Sequence, residues 1–490
     1  MTRFRTLLAC LVPLALAACA VGPDFVRPSA PMQSGFYHGE DVSKTRPAMD
    51  QDVPASTGPA DPAFWRSFDD PLLSELVETS LTANHDLRIA LAHVEQANAL
   101  LRAAALDHLP TVTASAAAED GRSSTDQAAI APQGSRESKS YSAGINAVWE
   151  LDLFGRIRRN VEAGRADTEA SAADLRAAQV AIVGQVARTY VGMRGLQERL
   201  RIAQANADNQ RETLRIVETR MRAGRGTEFD TARARAQLES TSARIPALEA
   251  GIAAAMHRLA VLTGRTPDAL IARLTPQQDV PRPPGAIDPG TPGDLVRRRP
   301  DVAAAEARLH AATARIGVAT ADLFPRFVLS GLLGTQAINA SDVFGAGSGT
   351  RYAALGIDWS FLDVGRVRAR IKATDAEGDA ALARYEQVVL LALQDTEDTL
   401  VRYARGLSAD RHLEQAAGES ARAAQLAHVQ FDAGAVDLLA VLDAERTLLA
   451  AQDAFAEGRA RSASDAVALY GALAGGWPQA LPSSKSVVVP

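Results

Sequence analysis

The chain reads as an α plus membrane-β protein built twice over. Three observations predict that class: helices of unusual length carrying apolar seams, amphipathic strands of about ten residues, and recurrence of both at one fixed offset. A fourth feature, the first nineteen residues, sets the compartment.

Arg3 and Arg5 precede a short apolar run that ends in Leu16-Ala17-Ala18-Cys19. A basic start, an apolar stretch and small residues before a cysteine make a secretory leader with a lipobox. The sequence resembles the bacterial lipoprotein class, in which the cysteine, here Cys19, becomes the lipidated mature N-terminus. Ala20 follows it; an aspartate there would direct retention at the inner membrane, so Ala20 points to the outer membrane. The apolar run is too short to span a bilayer.

The 490 residues carry a net charge of −6, more negative once Arg3 and Arg5 leave with the leader. No basic run suggests nucleic acid. Of the two cysteines, Cys10 lies in the leader, so Cys19 has no partner for a disulfide. Abundant alanine with only 5% aromatics favours long, closely packed helices. No run of about 20 apolar residues is present, so a membrane crossing would have to be made by strands closed into a barrel.

In the first copy a helical stretch ends at Leu109-Pro110, and two alternating segments flank a polar loop before Asp152-Leu153-Phe154-Gly155-Arg156. A long helix runs to Gly224 and a second returns to Gly264. In the second copy a helix ends at Phe324-Pro325, two alternating segments lead to Leu362-Asp363-Val364-Gly365-Arg366, and a long helix runs to Gly434 before the return. Gly155 to Gly365 and Gly224 to Gly434 are the same offset apart, which marks a duplication. The boundaries expected are a leader at 1–18, a lipidated segment at 19–70, a first repeat at 71–274, a Pro/Gly-rich linker at 275–293, a second repeat at 294–476 and a tail at 477–490. Strands are expected at about 110–120, 141–152, 325–336 and 351–362.

From Leu175 to Met221 one set of positions advances by alternate steps of four and three, and only Gln179, Thr189 and Gln210 in it are polar. This is a left-handed coiled-coil seam spanning roughly 70 Å. A shorter seam, Val389, Leu393, Thr396, Leu400, Tyr403 and Leu407, opens the matching helix. Val183, Tyr190, Val191 and Ile216 lie off the first seam, so this helix packs on two sides, as in a cylinder of helices.

In Tyr141–Leu151 the odd positions are Tyr, Ala, Ile, Ala, Trp and Leu, and the even ones are mostly polar or small. The segment from Arg351 to Phe361 alternates likewise, with Asp358 and Ser360 on the polar side. Apolar-out, polar-in segments of this length are membrane barrel strands, and Trp149 and Trp359 sit where interfacial aromatics belong. Four strands cannot close; single-chain barrels start at about eight. The barrel must be shared between chains.

Several motifs in order resemble the outer membrane efflux family (TolC-like, NodT subgroup): Cys19-Ala-Val-Gly-Pro-Asp-Phe25 with Arg27-Pro28, Trp149-Glu-Leu-Asp-Leu-Phe-Gly-Arg156, Arg298-Arg-Pro-Asp-Val-Ala-Ala-Ala-Glu306 and Val441-Leu-Asp-Ala-Glu-Arg446. The resemblance implies a homotrimer with a twelve-stranded outer-membrane barrel on a long periplasmic helical barrel. It also implies two partners: an inner-membrane transporter of the RND type and a periplasmic adaptor.

The resemblance further implies a gate where the long helices turn, at Gly224 and Gly434. Asp443 matches an aspartate that rings the family's entrance, and Arg446 a following basic position. Ala440 stands where some members carry a second ring aspartate; Asp437 is the residue placed to substitute. Asp230 matches a gate aspartate whose tyrosine partner is Phe431 here, which cannot donate a hydrogen bond.

Nothing points to catalysis, a cofactor or a metal: the eight histidines are scattered without ligand spacing. Gly345-Ala-Gly-Ser-Gly349 lacks the lysine of a phosphate loop and lies between two strands. The function expected is a passive exit duct of a tripartite efflux pump. The alternatives are the duct of a type I secretion system and a non-conducting coiled-coil envelope lipoprotein.

Overall fold

In a computed structural model the described residues are 20–29, 33–39, 63–124, 136–283 and 287–474. Cys19, the leader and the tail lie outside them. The elements run α1 (Pro71–Ala83), α2 (His85–Leu106), β1 (Thr111–Arg122), β2 (Glu137–Leu151), α3 (Arg156–Arg222), α4 (Glu228–Ser242) and α5 (Ile245–Leu262). There follow α6 (Pro292–Arg298), α7 (Pro300–Ala321), β3 (Arg326–Ala337), β4 (Gly349–Asp358), α8 (Val364–Asp432) and α9 (Leu438–Ala472). Two compact units result: Met1–Ser29 with His93–Ser171 and Ala304–Glu386, and Ala30–Ala92 with Ala172–Ala303 and Gln387–Pro490. Each takes segments from both copies.

The first unit holds one antiparallel sheet in the order β1-β2-β3-β4, so β2 of the first copy pairs with β3 of the second. Register aligns one apolar face across all four strands. Trp149 stands opposite Leu329, and Leu329 opposite Leu355; Leu151, Phe327 and Ile357 form the next row. Ile145 stands opposite Ala114 on one side and Leu333 on the other. The other face carries Ser115 against Gly144, with Asn146 donating to the Ser115 hydroxyl at 3.2 Å. Leu329, Leu333, Leu355 and Ile357 are 41–67% exposed in the single chain. A one-residue slip would turn this face over, so register and amphipathicity specify each other.

Strand ends differ by a few residues from those expected. The clearest case is β4, which stops at Asp358 rather than near 362. There the Trp359 indole turns back to donate to the Leu323 carbonyl at 3.0 Å, and the chain turns into α8. At the end of β2, Asp152 caps α3 by accepting from the Ile157 and Arg158 backbone N–H groups at 3.1 and 2.9 Å. Phe154 stacks on Phe324, which precedes Pro325 in the second copy, with ring centroids 4.6 Å apart.

The second unit contains the main core. Asp70 caps α1 through the Leu72 and Leu73 N–H groups, both at 2.9 Å, and accepts from the Tyr190 hydroxyl at 2.7 Å. Burial, followed by that bond to Asp70, pushes the Tyr190 phenol well above its usual range. Arg194, fully buried beside it, donates to Gln197, to the Pro276 carbonyl and to Gln278 at 2.7–2.9 Å, which ties the linker to α3. Phe64 stacks on Tyr470 at 4.6 Å.

The α3 seam is buried or half-buried from Leu175 to Val217, and only Met221, at the turn, is exposed. Val183, Tyr190 and Val191, off that seam, are fully buried. In the second copy Val389, Thr396, Leu400 and Tyr403 are buried.

One expectation needs correction. The return of the first copy is not one helix: it breaks at Ala243 and Arg244, and Pro246 opens α5. Proline lacks the N–H that would continue the ladder but fits a helix's first turn. The stretch Glu228–Leu262 also passes, by length and composition, as one able to cross a membrane. The break interrupts it, and Ile252, Met256, Leu259, Ala260 and Leu262 pack into the core, as a soluble-type core helix does.

Candidate functional site

Both helical tips close with the same backbone device. At the first, the Arg225 N–H reaches the Arg220 carbonyl at 2.9 Å and the Gly224 N–H that of Met221 at 3.0 Å. At the second, Ala435 reaches Gln430 at 2.8 Å and Gly434 reaches Phe431 at 3.0 Å. This six-to-one and five-to-two pair satisfies the last carbonyls of a helix and needs a left-handed residue, which the glycines supply at φ +70° and +74°.

The aspartates beyond each turn start the next helix. Thr227 and Asp230 form a capping box: the Asp230 N–H donates to the Thr227 hydroxyl at 3.2 Å, and the Thr227 N–H to the Asp230 carboxylate at 3.1 Å. In the second copy Asp437 holds the place of Thr227 and accepts from the Ala440 N–H at 3.1 Å. Asp230 and Asp437 thus occupy different capping positions.

Asp443 lies on an exposed face of α9, paired with Arg446 one turn on at 2.6 Å, the two side chains 60% and 70% exposed. Both charges are thus available at the tip. Phe431 takes no part in a polar latch. It is buried with Val217, Ala234, Leu438, Val441 and Leu442, and the Arg220 guanidinium lies 4.0 Å above its ring. Arg220 was not singled out by the sequence, because a cation over an aromatic face on another helix has no spacing signature.

Cys19 lies outside the described residues, but the segment after it is firmly seated in the first unit. The Val21 N–H donates to the Phe154 carbonyl at 3.1 Å, Phe25 stacks on His310 at 4.5 Å, and Arg27 pairs with Glu306 at 2.6 Å. Arg159, only 6% exposed, reaches Asp24 at 2.7 Å and Glu162 at 2.9 Å. Burial pushes the Glu162 carboxyl up, but hydrogen bonds from His310 and Arg159 outweigh it and hold it below the usual range.

Residues 76–265 and 291–475 match the outer membrane efflux protein family. Among curated relatives, the chain is 32% identical over 476 residues to the toluene efflux pump outer membrane protein TtgF of Pseudomonas putida, covering 96% of each chain. It is 31% identical over 481 residues to nodulation protein T of Rhizobium leguminosarum bv. viciae, covering 97% and 94%. Among solved structures, the outer-membrane channel OprN superposes with a TM-score of 0.84 at 39% identity, over 94% of this chain and all of that one. The open state of the Neisseria gonorrhoeae MtrE outer membrane channel does so with 0.80 at 27%, over 94% and 99%. Sheet, seams, paired glycine turns and full-length similarity lead to one conclusion: the chain belongs to the outer membrane efflux protein family, the outer-membrane channel components of efflux pumps.

Proposed function

We propose that three copies of this chain share a twelve-stranded barrel and form the outer-membrane exit duct of a tripartite pump. The duct passively conducts small molecules delivered by an inner-membrane RND transporter through a periplasmic adaptor. The observation that carries this reading is the sheet: one apolar face in register across four strands, with β1 and β4 left as open edges. A bilayer tolerates such a sheet only if the edges close. The names of TtgF and its efflux-pump relatives support the pump assignment.

In this reading Cys19 carries the lipid anchor, and Asp443 with Arg446 faces the periplasmic mouth. Asp230 and Asp437 cap the helices behind them, and Phe431 with Arg220 holds the tip together.

Purified protein reconstituted in planar bilayers should form long-lived pores and migrate as a trimer before heating. A tag at Gly347, between β3 and β4, should be stained on intact cells. Absence of conductance in a well-assembled trimer would favour the non-conducting envelope lipoprotein. Conductance with in vivo dependence on an ATP-driven exporter would favour the secretion duct.

A further inference from the structure

The inner stripe of α9 is apolar at Leu438, Val441, Leu442 and Leu449, and Glu445 sits in the middle of it, 4% exposed. One carboxylate oxygen, Oε1, accepts from the Thr213 hydroxyl of α3 at 3.0 Å and meets His428 Nε2 of α8 at 3.0 Å. The other, Oε2, is buried with no partner among the described residues. Gln210, one turn before Thr213, is 2% exposed, and neither of its amide atoms has a partner among the described residues. A carboxylate in this place is a poor choice for stability alone, since an apolar residue of similar volume would spare the desolvation of a charge. What a carboxylate against a histidine adds is dependence on protons.

We propose that Glu445, His428 and Thr213 form a proton-sensitive clasp that joins α9 to α8 and α3 and positions the Asp443–Arg446 turn, tightening in mild acid. The His428 side chain is 43% exposed, so bulk water reaches the imidazole while the carboxylate stays inside. With neutral histidine only the acceptor is charged. With imidazolium both partners are charged, and such bonds are shorter and stronger. Histidine is the side chain that changes charge between about pH 5 and 8.

Several charges on these helices are otherwise engaged. Asp443 pairs with Arg446 on α9, Glu218 of α3 pairs with Arg235 of α4 at 2.9 Å, and Arg220 of α3 lies over Phe431. On α8 itself, Asp432 stands one turn beyond His428. Glu445 lies between Asp443 and Arg446 in sequence, so gripping it fixes how that turn presents its charges. His428 and Glu445 are positioning residues: they act on the mouth through α9. The effect on conduction rests on the gate reading above; the clasp does not.

Hydrogen exchange of the assembled trimer at pH 7.5 and 5.5, corrected for intrinsic rates, tests it. Amides from Leu438 to Leu449 should gain about fivefold in protection at the lower pH, as a neutral bond becomes charge-assisted. His428→Gln should show no such gain, and His428→Lys, charged at both values, should be protected at both. A gain in His428→Gln equal to that of the unaltered protein overturns the proposal, as does a His428→Lys trimer that still responds to pH. Single-channel recording separates the two readings: protection that follows pH while conductance does not retains the clasp and removes the gate.

Discussion

Trp149 and Trp359 make the same bond in the two copies. Each indole Nε1–H donates at 3.0 Å to a backbone carbonyl two residues before the proline that opens its hairpin, His108 for one and Leu323 for the other. Each bond satisfies a carbonyl just past a helix end, where the helix itself offers no donor. Trp149→Phe and Trp359→Phe should each cost about 1 kcal/mol, the net worth of one neutral hydrogen bond. The two sites lie on different hairpins and should add. Heat dissociation of the trimer, followed on semi-native gels, checks both.

Asp443→Ala should weaken block of the pore by a trivalent cation added from the periplasmic side, with assembly intact. Like charges at a narrow mouth concentrate cations. Arg446→Ala frees the carboxylate from its 2.6 Å partner and should raise resting conductance through repulsion among the copies. Asp437→Ala should behave differently: loss of its cap on the Ala440 N–H costs about 1 kcal/mol of stability and leaves cation block unchanged. Unchanged block in Asp443→Ala would move the ring elsewhere.

Asp465, on α9, has its carboxyl raised above the usual value, chiefly by burial, with Arg402 and Arg461 opposing. A raised carboxyl binds its proton more tightly in the folded state. Folded stability therefore falls as pH rises from the ordinary Asp range through the raised value. Asp465→Asn should stabilise the trimer at pH 7.5, and the gain should vanish below about pH 4, where the unfolded chain is also protonated. Thermal dissociation against pH gives the sign directly. Asp410, also raised by burial, should respond in the same direction.

Cys19→Ser, supplied with a cleavable leader, should lose lipid labelling yet still fractionate with the outer membrane, because the barrel holds the chain independently of acyl chains. Gly22→Ala should loosen the seated segment instead. Gly22 has φ +91°, and an added Cβ would lie 2.4 Å from the Gly317 Cα. Faster protease cleavage between residues 20 and 27, with normal trimer yield, is the expected result. Recovery of Cys19→Ser only as soluble periplasmic protein would refute a spanning barrel.

Features that repeat with a period were legible in the sequence. The α3 seam was readable because Leu175 to Val217 obeys one spacing, and the strands because a two-residue alternation has no helical counterpart. The turn glycines were readable because only a left-handed residue closes such a turn. Features that depend on a second element were not. Pro246 reads as an interruption only once α4 is seen to end at Ser242. That Asp437 also caps its helix shows only when its carboxylate is found on the Ala440 N–H. Glu445 gives no signal of its own, since nothing in its helix announces Thr213 and His428 across the interface.

The unpaired edges of β1 and β4 make each polypeptide dependent on its siblings for insertion. A chain altered so that the open edge of β4 cannot pair, for instance by proline in place of Ala353, would still offer a sound β1 to a neighbour. It would enter assemblies and ruin them. Expressed in equal amount beside the unaltered gene, it would leave about one trimer in eight intact under random mixing. The open sheet is thus a genetic liability as well as a structural one: at such a locus one faulty allele can be dominant.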